Sequence, residues 1–205
     1  QGVKRAEADS RFGLQLIAGG LTLYAAGQLV WDLQTWRGYD RFPSPSDLFY
    51  LWLGPSLCAG LLLQALHRTP ASQRVTLLLD CALMAIAAVS LVLALYLPRG
   101  GETSLLALLA LIAYPATLFM ALGVGLILIP SLHLKPAAGY LAFLAAVLVT
   151  GLCWMIWNLL ALNGGITHGS LLNSLFSISI AGCGAATLFW RMERSDHPRC
   201  PPGRF

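Results

Sequence analysis

Charge is what this sequence has least of. Only 11% of its 205 residues are Asp, Glu, Lys or Arg while 57% are hydrophobic, whereas an ordinary soluble domain is about a quarter charged. That scarcity excludes a water-exposed globular surface. Metal-ligand patterns are lacking as well: Cys58, Cys81, Cys153, Cys183 and Cys200 form no C-x-x-C pair and stand at no metal-binding distance from a histidine. His67, His133, His168 and His197 fall in connectors or the tail, so two axial haem ligands cannot meet inside a bundle. No metal and no cofactor is expected. The formal net charge of +4 sits on no folded basic face, which excludes nucleic acid as a partner.

What the sequence does have is apolar runs. Stretches of about 20 apolar residues, the length that crosses roughly 30 Å of hydrocarbon, occur at 12–31, 48–66, 75–97, 105–130, 137–162 and 171–190. Each connector holds breakers: Pro43 and Pro45, Thr69-Pro70, Pro98 to Gly101, Ser131 to Pro136, and Asn163-Gly164-Gly165. The expected fold is all-α, a polytopic transmembrane bundle of six spans built from helical hairpins, with the lipid bilayer as its solvent.

Orientation follows from Lys and Arg, which accumulate in cytoplasmic loops. Ten of the thirteen (Lys4, Arg5, Arg11, Arg68, Arg74, Lys135, Arg191, Arg194, Arg199, Arg204) fall on the side of the termini, and three (Arg37, Arg41, Arg99) fall on the other. Both termini are therefore expected in the cytoplasm. The chain divides into an N-terminal segment 1–11, a membrane domain 12–190 and a polar, proline-rich tail 191–205 that reads as a linker. Because the first residue is Gln1 and not Met, an excerpt or a processed chain is expected.

The first and last hairpins are similar at an offset of 126. Trp31-Asp32 falls on Trp157-Asn158, Gly38 on Gly164, Ser44 on Ser170 and Asp47 on Asn173. Four spans separate the copies, so the repeat is parallel and not inverted. Ser44-Pro45-Ser46-Asp47 also has the form of a capping box, with serine at the N-cap, proline at N1 and an acid at N3 reaching back.

The phrase Pro43-Ser44-Pro45-Ser46-Asp47-Leu48-Phe49-Tyr50-Leu51 resembles one found in the multi-span N-terminal membrane regions of bacterial proteins that carry GGDEF (diguanylate cyclase) or EAL (phosphodiesterase) domains. Leu79-Asp80 at a span opening, Tyr114-Pro115 within a span, and a last hairpin with a glycine-rich loop match further features in order. The resemblance covers about residues 12–190. It implies a sensory module in the bacterial inner membrane, signalling through cyclic-di-GMP by an output domain on the cytoplasmic side. It departs at Ala116-Thr117-Leu118, where the family carries an acid, and at Asn158 and Asn173, where acids are frequent. Such regions often have about eight spans, so a further hairpin before Gln1 is expected. No cyclase or phosphodiesterase motif occurs in these residues, so the chain itself is expected to be no enzyme.

On this topology Gln28, Trp31, Asp32, Trp36, Asp47, Tyr50, Trp154, Trp157, Asn158, His168 and Asn173 gather in the outer half of the bundle. Polar groups inside spans face the bundle interior or a wet cavity, and a small or lipid-like ligand would use them. The plain alternatives are an interfacial aromatic belt for Trp and Tyr and interhelical glue for Asn. Asp80, about 8 Å into its span, is either paired with Arg68 or Arg74 or serves as a switch. Pro115 removes a donor and frees the carbonyl of Leu111, so a kink at Tyr114-Pro115 is expected, as a hinge or as shape alone. Gly19-Gly20, Gly123 with Gly125, and Gly182 with Gly184 mark close helix packing or a homodimer face. Two rival classes stand beside the sensor. A transporter would show polar groups at the midplane of broken helices, and an intramembrane enzyme would need acid–base groups converging at one depth.

Overall fold

The computed structural model describes residues 8–39, 41–101, 103–131, 134–136, 138–163, 171–189 and 192–194. They form α1 (Ala8–Trp36), a one-turn α2 (Asp47–Tyr50), α3 (Leu53–Arg68), α4 (Arg74–Tyr96), α5 (Leu105–Ser131), α6 (Ala138–Leu162) and α7 (Leu171–Leu188). Six segments are long and apolar enough to cross a bilayer: α1, α2 with α3, α4 with its flanking turns, α5, α6 and α7. The chain is thus a multi-pass, all-helical membrane protein. Two short strands, β1 (Leu134–Pro136) and β2 (Met192–Arg194), pair antiparallel with Leu134 opposite Arg194. Residues 192–194 after α7, at the start of the stretch read from sequence as linker, therefore pair with the α5–α6 connector.

Helix ends follow local chemistry. α1 runs to Trp36, past the apolar run ending at Val30 and Trp31, because Gly38 takes a left-handed φ of 69°. Tyr39 N–H then reaches the Gln34 carbonyl at 3.0 Å and Gly38 N–H the Thr35 carbonyl at 3.1 Å, the two bonds of a glycine-terminated helix. The second span, continuous by composition, is broken at Leu51-Trp52. Pro55 is the reason, since it has no N–H to offer the Leu51 carbonyl one turn earlier. α3 ends where Thr69 turns extended (ψ 129°) ahead of Pro70.

α3 lies against α1 and α5, while α5 also touches α4 and α6, and α7 rests mainly on α6. Leu53, Leu57 and Leu61 of α3, Ile17 of α1, Val124 and Leu128 of α5, and Phe143 and Val147 of α6 are almost fully buried in one core. The bundle's outside is leucine-rich: Leu48, Leu79, Leu83, Leu105, Leu106 and Ile178 are all more than half exposed, as suits a lipid solvent.

Glycines set the closest contacts, because small residues let backbones approach where lipid gives no hydrophobic drive to association. A Cβ on Gly13 would lie 2.7 Å from the Gly60 carbonyl oxygen, and one on Gly20 would lie 2.6 Å from Ser56 Cβ. A Cβ on Gly27 would lie 2.9 Å from the Tyr50 ring. These three glycines, seven apart, form the seam between α1 and the second span. Of the pairs marked in the sequence, Gly20, Gly123 and Gly125 are in such contacts, whereas Gly19 and Gly184 have nothing within 4 Å. We expect Gly60→Leu to cost about 1–3 kcal/mol or more through overpacking and Gly19→Leu to be nearly neutral. Thermal unfolding of the two variants in detergent checks this.

Candidate ligand cavity at one end of the bundle

The segment 41–50 turns into the bundle and does not merely cap it. Asp47 is buried, and its carboxylate accepts the Ser44 N–H at 2.5 Å. Its other oxygen accepts the phenol of Tyr114, nine residues along α5, which is about 14 Å from the first turn of that helix. The expected capping box is half formed. The acid reaches back, but the Ser44 hydroxyl pairs with that of Ser46 at 2.7 Å, and the helix begins at Asp47 itself. Ser46 N–H is held by Gln34 Oε1 at 3.3 Å. One buried carboxylate therefore fixes the turn and ties it to the middle of α5, as a charge removed from water must be bonded.

A second chain of bonds runs along α1. Tyr50 donates its hydroxyl to Gln28 Oε1 at 3.1 Å, and Gln28 Nε2 donates to Asp32 Oδ1 at 3.1 Å. Between the two chains lies an aromatic floor. Tyr114 and Trp154 stack with ring centroids 3.9 Å apart and planes within 3°. Trp154 meets Tyr50, Trp157 and Phe176 edge-on at 5.8, 5.9 and 5.0 Å, and Tyr24 meets Tyr50 at 4.8 Å.

Above this floor is a cavity of about 580 Å³, within the range of small-molecule sites. α1 contributes Tyr24, Gln28, Trp31, Asp32 and Thr35, and the connector contributes Tyr39, Arg41 and Phe42. Asp47, Tyr50, Trp154 and Trp157 line it from the second and fifth spans, and Asn173, Phe176 and Ser177 line it from α7.

Eight of the sequence candidates thus share one space: Gln28, Trp31, Asp32, Asp47, Tyr50, Trp154, Trp157 and Asn173. Trp36 stands apart, 82% exposed. His168 lies outside the described residues. Asn158 is elsewhere. It is fully buried and donates Nδ2–H to the Leu111 carbonyl at 2.7 Å, the carbonyl that Pro115 cannot serve. Tyr114 belongs to the floor through its stack on Trp154 and is not in the cavity lining. Asp80, on α4 and half buried, is not in the cavity lining. Arg74, one of its two expected partners, directs Nε–H to the Thr69 carbonyl at 3.2 Å.

The positions matched at an offset of 126 occupy unlike environments. Asp32 is exposed to the cavity while Asn158 is buried in a helix contact, and Asp47 is buried while Asn173 is exposed. Tyr24, Thr35, Phe176 and Ser177 were not singled out by sequence. A signal existed for α1, since Tyr24, Gln28, Trp31 and Thr35 recur at helical spacing on one face. No family model matches the chain, and neither curated proteins nor solved structures yield a match.

Tyr114→Phe deletes the donor to a buried carboxylate, and a hydrogen bond to a charged group contributes about 1.5–3 kcal/mol. We expect that loss in unfolding measured by denaturant in mixed micelles. Tyr96→Phe, which removes the bond to the Met155 carbonyl, serves as the control with a loss nearer 1 kcal/mol.

Proposed function

We propose that this chain is the membrane-embedded input module of a bacterial signal-transduction protein of the cyclic-di-GMP type. A small or lipid-like ligand occupies the cavity, and an output domain on the cytoplasmic side reads the result. The observation that carries this reading is the position of Asp47, which lines the cavity and at the same time holds Tyr114, next to the proline of α5. A ligand that binds two arrangements of that link with different affinity shifts their populations, and only such a difference can do so. The module itself catalyses nothing.

In the bacterial inner membrane both termini face the cytoplasm and the cavity opens on the other side. The ten-to-three distribution of Lys and Arg supports this. The β1–β2 pairing supports it too, because it brings the α5–α6 connector and the chain after α7 to one end of the bundle.

In a Cys200→Ser background, Thr103→Cys is expected to react with an impermeant maleimide in intact cells, and Ser72→Cys only after permeabilisation. The reverse pattern would invert the orientation. For ligand binding, Ser177→Trp fills the cavity at an exposed position. Periplasmic and lipid extracts that raise the melting temperature of the wild type in nanodiscs should leave this variant unshifted. A ligand at about 100 times its dissociation constant stabilises by about 2.7 kcal/mol, a shift of several degrees. Spin labels on α3 and α5 should report a distance change with the active fraction, and its absence would count against an input role.

A further inference from the structure

The chemistry of the cavity wall goes beyond the presence of a ligand and rests on the reading that one binds there. Half of the lining residues are aromatic, and two carboxylates, Asp32 and Asp47, stand among them. Asp47 is occupied by Ser44 N–H and the Tyr114 hydroxyl. Asp32 is different: its side chain is exposed to the cavity and, among the described residues, receives one bond, from Gln28 of its own helix. A carboxylate set in a partly desolvated, aromatic-walled space attracts a cation more strongly than it would in water.

The type of cation follows from what else is present. A bare metal ion needs several oxygen, nitrogen or sulfur ligands converging on one point, and among the described residues no three His, Cys, Asp or Glu side chains do so. What converges instead is ring surface, in Trp31, Tyr50, Trp154 and Trp157. Ring faces carry negative potential and bind an alkylated ammonium, whose charge is spread over methyl groups and needs no hydrogen-bond acceptors. Arg41, on the connector and exposed, lies at the cavity margin and suits an anionic group carried by the same molecule.

We infer that the cavity binds an organic ammonium ion, of trimethylammonium type, with Asp32 as counter-charge and the tryptophans as its cage. A soluble choline-like compound and a phosphocholine lipid headgroup share this chemistry.

The test uses the full chain in uncharged detergent, with choline and its neutral carbon isostere 3,3-dimethylbutan-1-ol as probes, read by tryptophan fluorescence. Choline is expected to give a saturable change, and the isostere to bind about tenfold more weakly, in line with the strength of desolvated cation–π contacts. Asp32→Asn, at an exposed wall position, should weaken choline about tenfold and leave the isostere unchanged. Displacement of choline by short-chain phosphatidylcholine, and not by phosphatidylglycerol, supports the inference with a lipid source. Choline binding without such displacement supports it with a soluble source. Equal binding of choline and isostere, insensitivity to Asp32→Asn, or no saturable change at millimolar choline overturns it. These failures are separable from failure of the input-module reading. Equal binding leaves a ligand site for neutral molecules, whereas choline binding with no change in the α3–α5 distance removes the signalling role and keeps the ammonium site.

Discussion

In hydrocarbon polar groups look for partners within the protein, and this bundle is organised around two places where such a partner comes from another helix. At one, Pro115 leaves the Leu111 carbonyl without a donor, and Asn158 of the neighbouring helix supplies it at 2.7 Å. At the other, the carboxylate of Asp47 enters the spans and is met by a backbone N–H and the Tyr114 phenol. Both lie on the same short section of α5. Satisfying the backbone and satisfying the acid therefore fix α5, α6 and the start of the second span to one another, and the aromatic floor is assembled on that joint.

Because Asp47 is drawn down to Tyr114, the connector from α1 must follow it inward. The residues that would have formed a loop at the bundle's rim become part of a wall, and the space left between α1, α6 and α7 is the cavity. Pro55 contributes by interrupting the helical ladder of the second span at Leu51-Trp52, although both residues keep helical dihedrals. The site is in this sense a result of helix chemistry.

The spans were legible in the sequence because length and hydropathy alone define them. The carbonyl freed by Pro115 was legible too, since a proline inside an apolar run has one stereochemical consequence. Its partner was not, because Asn158 reads equally well as a ligand-facing amide, and only the packing of α6 on α5 distinguishes the two. The internal similarity at an offset of 126 compares residue types, and residue type does not fix whether a side chain turns to a cavity or a neighbour. Tyr24 and Phe176 escaped notice for a related reason: inside a membrane span an aromatic ring is unremarkable until a void is found beside it. The capping box was half correct because its local logic holds for the acid, while a second hydroxyl two residues on competes for Ser44.

The seam of Gly13, Gly20 and Gly27 has a mechanical consequence. Added methyl groups there would lie within 3 Å of the Gly60 carbonyl, Ser56 Cβ and the Tyr50 ring, so a slip of α1 by a single residue would drive side chains such as Leu14, Leu21 or Gln28 into the second span. The pair behaves as a toothed rack engaged at three points, rigid against sliding until a whole seven-residue step is taken. α7 has such a contact at its C-terminal end, where a Cβ on Gly139 of α6 would lie 2.5 Å from the Phe189 carbonyl oxygen, whereas along the helix Gly182 has its nearest neighbour at 3.6 Å and Gly184 has none within 4 Å. α7 is thereby locked at one end, while α1 is engaged with the second span at three levels along its length.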